Sequence, residues 1–272
     1  MTITERGQVS TSDAITFHDI SKHYDRTRER LQVLKGCDFT VPAEKFVSVV
    51  GPSGCGKTTL LNMVAGFTDP DGGSVTVGQS SVRGPHPSRG VVFQQYALFP
   101  WLTVAKNIAY GLNLRANKDK RSNRAAVVDR YIDLMGLRGF ENAYPKELSG
   151  GMRQRVAIAR AYATDPSVLL MDEPFAALDA QTREYMQELL HEIQLSEQRT
   201  VLFITHSVEE AIFLSHKVIV LSTRPSRVRE VVDVSIPFPR TPGVRLSPEF
   251  VELRRRVDGM LREHSQPIRS TE

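Results

Sequence analysis

Apolar residues recur along this chain at two different periods, and the switches between them mark its elements. Short β-branched runs come first: Ala14-Ile-Thr-Phe17, Val33 to Val41 and Phe46-Val-Ser-Val-Val50. Runs of this kind, bounded by turn residues, predict strands. A glycine-rich turn and a stretch of helix formers from Thr58 to Ala65 follow, and strand character resumes at Gly73-Ser-Val-Thr-Val77 and Gly90-Val-Val-Phe93. Residues 102 to 163 then carry helical spacing with few strand signals. Strands return at Ser167–Met171, Thr200–Thr205 and Lys217–Leu221, with helices between them. Alternation of strand and helix predicts an α/β class with a doubly wound sheet. The helical block reads as a lobe inserted into that core. Past Pro237 the chain turns loop-like, until Ser247-Pro248 supplies a cap and a first-turn proline for a last helix. Phe250, Leu253, Val257, Met260 and Leu261 give that helix an apolar stripe, the pattern of simple packing onto a parent domain. The lead, residues 1–13, reads as disordered.

Composition narrows the class. The chain has 272 residues, enough for a sizeable core, and no apolar run approaches the about 20 residues of a membrane-spanning helix. The polar N-terminus lacks the basic-then-apolar layout of a signal peptide, so the expected place is the cytosol, or the cytoplasmic face of a membrane if a partner holds the chain there. The net charge of +4 is modest. Its basic runs, Arg26-Thr-Arg-Glu-Arg30, Lys118-Asp-Lys-Arg121 and Arg254-Arg-Arg256, read as solvated faces. Basic and aromatic residues are not interleaved as a nucleic-acid surface requires, so no nucleic-acid partner is expected. Two cysteines, Cys37 and Cys55, make neither a disulfide framework nor a metal site.

Gly51-Pro-Ser-Gly-Cys-Gly-Lys-Thr58 fits the phosphate-loop pattern G-x-x-x-x-G-K-[ST], between a predicted strand and a predicted helix. Gly51, Gly54 and Gly56 let consecutive N–H groups converge on one point, and the next helix adds its positive end. Pro52, Ser53, Cys55 and Thr59 complete the cradle. Lys57 brings a charge to the β- and γ-phosphates, and Thr58 offers a hydroxyl to Mg²⁺. Cys55, beside a helix start and Lys57, is expected to favour its thiolate, although it also reads as a plain loop spacer. A guanine reader would need N-K-x-D; Asn117-Lys-Asp-Lys120 has lysine where the aspartate belongs, so ATP is favoured.

Val168-Leu-Leu-Met-Asp-Glu173 is an apolar strand ending in two acids. Ligands of open α/β sheets sit at the carboxyl ends of strands. Side chains alternate along a strand, so Asp172 and Glu173 point differently if the strand persists through both. We assign Asp172 to Mg²⁺ and Glu173 to the general base for the attacking water.

Leu148-Ser-Gly-Gly-Met-Arg-Gln-Arg155 opens a helix, and with it the order of motifs from residue 14 to about 235 resembles ABC ATPases. The resemblance implies a P-loop NTPase (RecA-like) core at 14–94 and 165–240, an all-helical subdomain at 95–164, and a short C-terminal helical tail at 241–272. It implies Tyr24 as adenine-stacking ring, Gln94 as the glutamine bridging Mg²⁺ and the helical lobe, Asp179 in the loop Ala177-Leu-Asp179, and His206 as the switch histidine at the γ-phosphate. Ser149, Gly150 and Gly151 would complete the site of a second copy, so that ATP joins two cassettes and its hydrolysis moves membrane permease subunits fed by a solute-binding protein. Met152, Ser207 and Ala43-Glu-Lys45 depart from the pattern, but none removes a catalytic group.

Gly84-Pro85, Arg89 to Gln94, Leu98-Phe-Pro-Trp-Leu-Thr103, Val220-Leu-Ser-Thr-Arg-Pro225 and Ser247-Pro-Glu-Phe250 look like the nitrate, sulfonate and taurine importer branch. Trp101, Tyr96, Leu98 and Phe99 read either as lobe packing or as the groove for a permease helix. DNA-repair ATPases of the family carry a long coiled coil between phosphate loop and signature; here that interval is a short lobe. A regulatory nucleotide binder without hydrolysis is disfavoured by Glu173 and His206.

Overall fold

A computed structural model describes residues 13–26 and 29–262. The predicted disordered lead therefore lies outside the described residues except for Asp13, as does the tail beyond residue 262.

The chain opens with β1 (Ile15–Arg26), β2 (Glu29–Val41) and β3 (Phe46–Val50), then α1 (Lys57–Ala65), β4 (Gly72–Val77), β5 (Ser80–Ser81) and β6 (Arg89–Val92). Between β6 and the next strand come α2 (Val104–Ala109), α3 (Arg124–Leu134), several 3₁₀ turns and α4 (Gly150–Ala163). The rest is β7 (Val168–Asp172), α5 (Ala180–Glu197), β8 (Thr200–Ile204), α6 (Val208–Leu214), β9 (Lys217–Leu221), β10 (Val228–Asp233) and α7 (Pro248–Arg262).

These strands form two sheets, not one. A 6-stranded sheet runs β10-β9-β3-β8-β7-β6, parallel except for β10, which pairs antiparallel with β9 at one edge. A separate antiparallel sheet has the order β2-β1-β4-β5. The doubly wound expectation holds for the first sheet alone. Parallel strands need crossovers, which the intervening helices supply, whereas β1 and β2 are neighbours in sequence and pair directly.

The parallel strands are buried on both faces, and their residues alternate between two apolar clusters. In β3, Phe46 and Val50 join the cluster with α4, α5 and α6, while Val47 and Val49 join the one with α1 and the antiparallel sheet. In β7, Leu169 and Met171 face the first, Val168 and Leu170 the second. The helical stretch contributes Ile108, Tyr131, Ile132 and Tyr162 to that same first cluster, so its core is continuous with the sheet's. Phe250 and Val257 of α7 pack there as well. No helix among the described residues is long and apolar enough to cross a membrane.

Candidate active site

The parallel order brings the carboxyl ends of β3, β6, β7, β8 and β9 to one edge of the sheet. β3 runs into the phosphate loop, β7 into Asp172 and Glu173, β8 into Thr205 and His206, and β6 toward Gln94. Ligands of open α/β sheets bind just outside the carboxyl ends of the strands.

The phosphate loop turns on two left-handed glycines, Gly54 (φ 73°) and Gly56 (φ 103°). A Cβ on Gly56 would lie 2.8 Å from both Leu34 Cδ2 and Val33 Cγ1, so only glycine fits. Gly51 is held as closely: its Cβ would lie 2.8 Å from Cys55 Sγ. The Lys57 ammonium donates to the carbonyls of Gly51 (2.8 Å) and Pro52 (3.1 Å), which holds it over the loop. Ser53, Gly54 and Thr58 are exposed at the rim. Tyr24, on β1, is half exposed, and its hydroxyl lies 3.3 Å from Thr59 Oγ1 on α1.

Cys55 does not carry the expected thiolate. It is buried, and desolvation pushes its thiol above the ordinary value, against the opposing pull of Lys57. Burial decides because the loop wraps the sulfur between Gly51 and the strands behind it. The loop-spacer reading stands.

Alternation along β7 places Asp172, and the end of the strand places Glu173. Asp172 follows Leu170 onto the α1 face, and its Oδ1 accepts a hydrogen bond from Thr58 Oγ1 at 3.2 Å. Burial raises the Asp172 carboxyl and neighbouring Glu173 adds to it, while the Thr58 hydroxyl and Lys57 pull the other way. Glu173 leaves the strand at φ 44°, a left-handed conformation that costs a non-glycine residue roughly 1–3 kcal/mol. Its N–H donates to the Ile204 carbonyl at 2.9 Å, tying it to β8. Its Oε2 lies 3.2 Å from His206 Nδ1. Lys57, Thr58, Asp172, Glu173 and His206 are thus gathered around one loop.

The other expected residues sit apart from that loop. Gln94 lies two residues past β6, exposed, and makes no hydrogen bond with the described residues. Ser149 caps α4, its Oγ accepting from Met152 N–H at 3.2 Å. No hydrogen bond joins Ser149, Gly150 or Gly151 to the phosphate loop among the described residues. Gly151 instead meets α5: a Cβ there would lie 2.5 Å from Thr182 Cγ2. Asp179 caps α5 by accepting from Thr182 N–H at 3.0 Å, and those bonds lower its carboxyl's pKa. Gly151 and Asp179 therefore meet at Thr182.

Sequence reasoning passed over two features. Arg224, in the loop after β9, places its guanidinium carbon 3.6 Å from where a Gly54 Cβ would be. Thr205, Glu210 and Arg183 form a polar chain behind His206, buried at Thr205 and Glu210 and partly exposed at Arg183. The sequence shows only a glutamate among the apolar residues Val208, Ala211, Ile212 and Leu214, which by itself reads as a solvated charge.

Residues 34–176 match the model of a family described as ABC transporter. The chain belongs to the ABC transporter family. It is an ATPase of that family. An ATP-binding protein of Brucella abortus is 55% identical over 213 residues, 78% of this chain and 81% of that protein. An aliphatic sulfonates import ATP-binding protein, SsuB of Bacillus cereus, is 41% identical over 89% of this chain and 94% of its own length. Among solved structures, the dimeric ABC transporter cassette MJ0796 matches with a TM-score of 0.71 and 30% identity, covering 82% of this chain and 100% of that one. A dimeric post-hydrolysis state of the same cassette, bound to ADP and Pi, matches with a TM-score of 0.70 at 29% identity.

Proposed function

We propose that this chain hydrolyses ATP to energise import of a small anion, of sulfonate, taurine or nitrate type, through separate permease subunits at the cytoplasmic face of the membrane. The observation that carries the hydrolytic part is the convergence of Lys57, Thr58, Asp172, Glu173 and His206 at one sheet edge. The phosphates of ATP rest on the N–H groups of Gly51 to Thr59 and on Lys57, and the Tyr24 ring stacks on adenine. Glu173 takes the proton of the attacking water. His206, 3.2 Å from Glu173, holds that carboxylate in place and reaches the γ-phosphate.

Thr58 Oγ1 and Asp172 Oδ1 are hard oxygen donors 3.2 Å apart, and no cluster of three metal-ligating side chains exists among the described residues. Such a pair fits Mg²⁺, which is held by one or two protein oxygens together with waters and substrate phosphates. Bound there, Mg²⁺ would neutralise charge on the β- and γ-phosphates. Gln94 would link that ion to the helices.

Ser149, Gly150, Gly151 and Asp179 bond within α4 and α5 and not to their own phosphate loop, which supports their acting on the site of a second copy. The dimeric state of the MJ0796 cassette supports the same reading. Within it, residues 14–94 and 165–240 form the RecA-like core, 95–164 a helical subdomain that carries the signature, and 241–272 a tail. The SsuB likeness favours a sulfonate; a different small solute is the alternative. A solute-binding protein would deliver it.

Phosphate release by Glu173→Gln tests the hydrolytic part. ATP binding should persist while turnover falls about 10²–10⁴-fold, the range for loss of a general base. Near-normal turnover would place the base elsewhere. Deleting the gene and following growth on taurine, an alkanesulfonate or nitrate tests the substrate class; unimpaired growth on all of them sinks the small-anion assignment.

A further inference from the structure

Two residues of the proposed chemistry, Glu173 and His206, follow different strands, β7 and β8, and each sits where the backbone has left regular structure. Glu173 is left-handed. His206 falls between the end of β8 and the start of α6. The Glu173 conformation persists only where its surroundings over-determine it. Behind both residues runs one polar chain. Thr205 follows Phe203 onto the α5 and α6 face of the sheet, and its hydroxyl donates to Glu210 Oε2 at 2.6 Å. The same hydroxyl oxygen accepts from Ser207 N–H at 3.0 Å, so it grips the backbone on both sides of His206. Glu210 is buried, and its other oxygen, Oε1, lies 3.7 Å from Arg183 Nε. Arg183 in turn donates to the carbonyls of Phe175 (Nε, 3.3 Å) and Leu178 (Nη2, 2.8 Å), in the segment that leaves Glu173.

We propose that Arg183, Glu210 and Thr205 are positioning residues, a polar strut that fixes the backbone leaving Glu173 and the backbone carrying His206 in one geometry. This rests on the reading of Glu173 and His206 as the hydrolytic pair. The strut's chemistry suits the role. A guanidinium presents several donors in a fixed fork, so one side chain can hydrogen-bond two carbonyls while its charge faces a carboxylate. The Glu210 carboxylate, desolvated by burial, is stabilised first by the Thr205 hydroxyl and next by the Arg183 charge, with smaller help from His206 and Gln187, so losing either of the first two is costly. The strut touches no phosphate-loop residue, so its loss should disturb chemistry and spare nucleotide binding.

The test uses the full chain and MgATP, with affinity and steady-state phosphate release measured for Arg183→Met, Thr205→Val, Thr205→Ser and the Arg183→Met/Thr205→Val pair. Glu173→Gln is measured beside them. The single variants Arg183→Met and Thr205→Val should keep ATP affinity within about twofold and lower kcat about tenfold, the scale of one charge-assisted hydrogen bond. Thr205→Ser, which keeps the hydroxyl, should stay near wild type. The pair should lose no more than its worse single, because one strut is broken either way. Unchanged kcat in Arg183→Met overturns the strut. So does affinity falling in step with kcat, or damage in Thr205→Ser equal to that in Thr205→Val. If Thr205→Val melts too early to assay, Arg183→Met, at the partly exposed end, decides alone. Normal turnover in Glu173→Gln overturns both readings; a dead Glu173→Gln beside unaffected strut variants overturns the strut alone.

Discussion

The helices that start near the candidate site begin in two different ways. α4, α5 and α6 each open with a side-chain cap, from Ser149, Asp179 and Ser207 respectively. α1 opens on Gly56 at φ 103° with no side-chain cap. A capping oxygen satisfies one of the first-turn N–H groups that a helix cannot satisfy itself. Without one, the first N–H groups of α1 remain free to serve acceptor oxygens from a ligand, on top of the positive end of the helix dipole. One helix end is thus built for an anion, while α5 and α6 close theirs internally. α4 falls between the two: Ser149 caps it, yet its first residues are two glycines with no side chain to block an incoming phosphate.

The largest effect tests that intermediate case. Lys57→Ala should disable its own phosphate loop, and Ser149→Arg should fill the α4 end with a bulky side chain. Each homodimer should lose about 10²–10³-fold in turnover, the scale of a lost oxyanion donor. Mixed and allowed to exchange, the two variants should regain phosphate release, because one composite site then joins an intact loop to an intact α4 end. No recovery, with heterodimers shown to form, would count against action across the interface or against independence of the two sites.

Next comes the uncapped helix itself. Gly56→Ala forces a left-handed alanine, at roughly 1–2 kcal/mol, into contact with Leu34 and Val33. Its melting temperature and ATP affinity should both fall. Ser207→Ala should lower stability by about 0.5–2 kcal/mol, as for any lost cap, and leave ATP affinity intact. Equal losses of affinity in the two variants would erase the distinction between them. A smaller change is expected at Tyr24. Tyr24→Ala should weaken ATP binding by about 0.5–1.5 kcal/mol, the value of an aromatic stacking contact. Tyr24→Phe keeps the ring and should bind normally, losing only the contact with Thr59; calorimetry that finds the two variants equally impaired would remove the stacking role.

The smallest effect is at Cys55. Its thiol is raised by burial, so at neutral pH it carries less thiolate than a free cysteine, and the thiolate is the nucleophile. Iodoacetamide should leave activity intact near neutral pH, with labelling appearing only above the ordinary thiol range. Rapid inactivation at pH 7 that Cys55→Ala abolishes would show the loop to be open.

Local signals and non-local ones fared differently. The phosphate loop was legible because its glycines, lysine and threonine sit in one unbroken run between a strand and a helix. The strand ending in Asp172 was legible for the same reason. The antiparallel sheet was not. β1 and β2 run long and irregular, with register shifts between Phe17 and His23, and β1's other partner, β4, lies far along the chain. β10 went unseen because Val228 to Asp233 interleaves charge with valine at a sheet edge. Arg183 and Glu210 were hidden because helical charges ordinarily read as solvated, and only packing reveals one that is buried.

By itself the sequence determined the strands of the parallel core and the helices between them, the nucleotide loop and the chemical identities of the acid pair, since each depends on residues adjacent in the chain. Tertiary structure alone decided which face each acid takes, that Thr58 meets Asp172, that His206 meets Glu173, and that Cys55 stays a thiol. The physical reason is the parallel sheet. Its strands come from distant parts of the chain, its pairing order fixes which ends are neighbours, and its alternation sends consecutive side chains to opposite faces. Desolvation, likewise, belongs to no residue until the fold has closed around it.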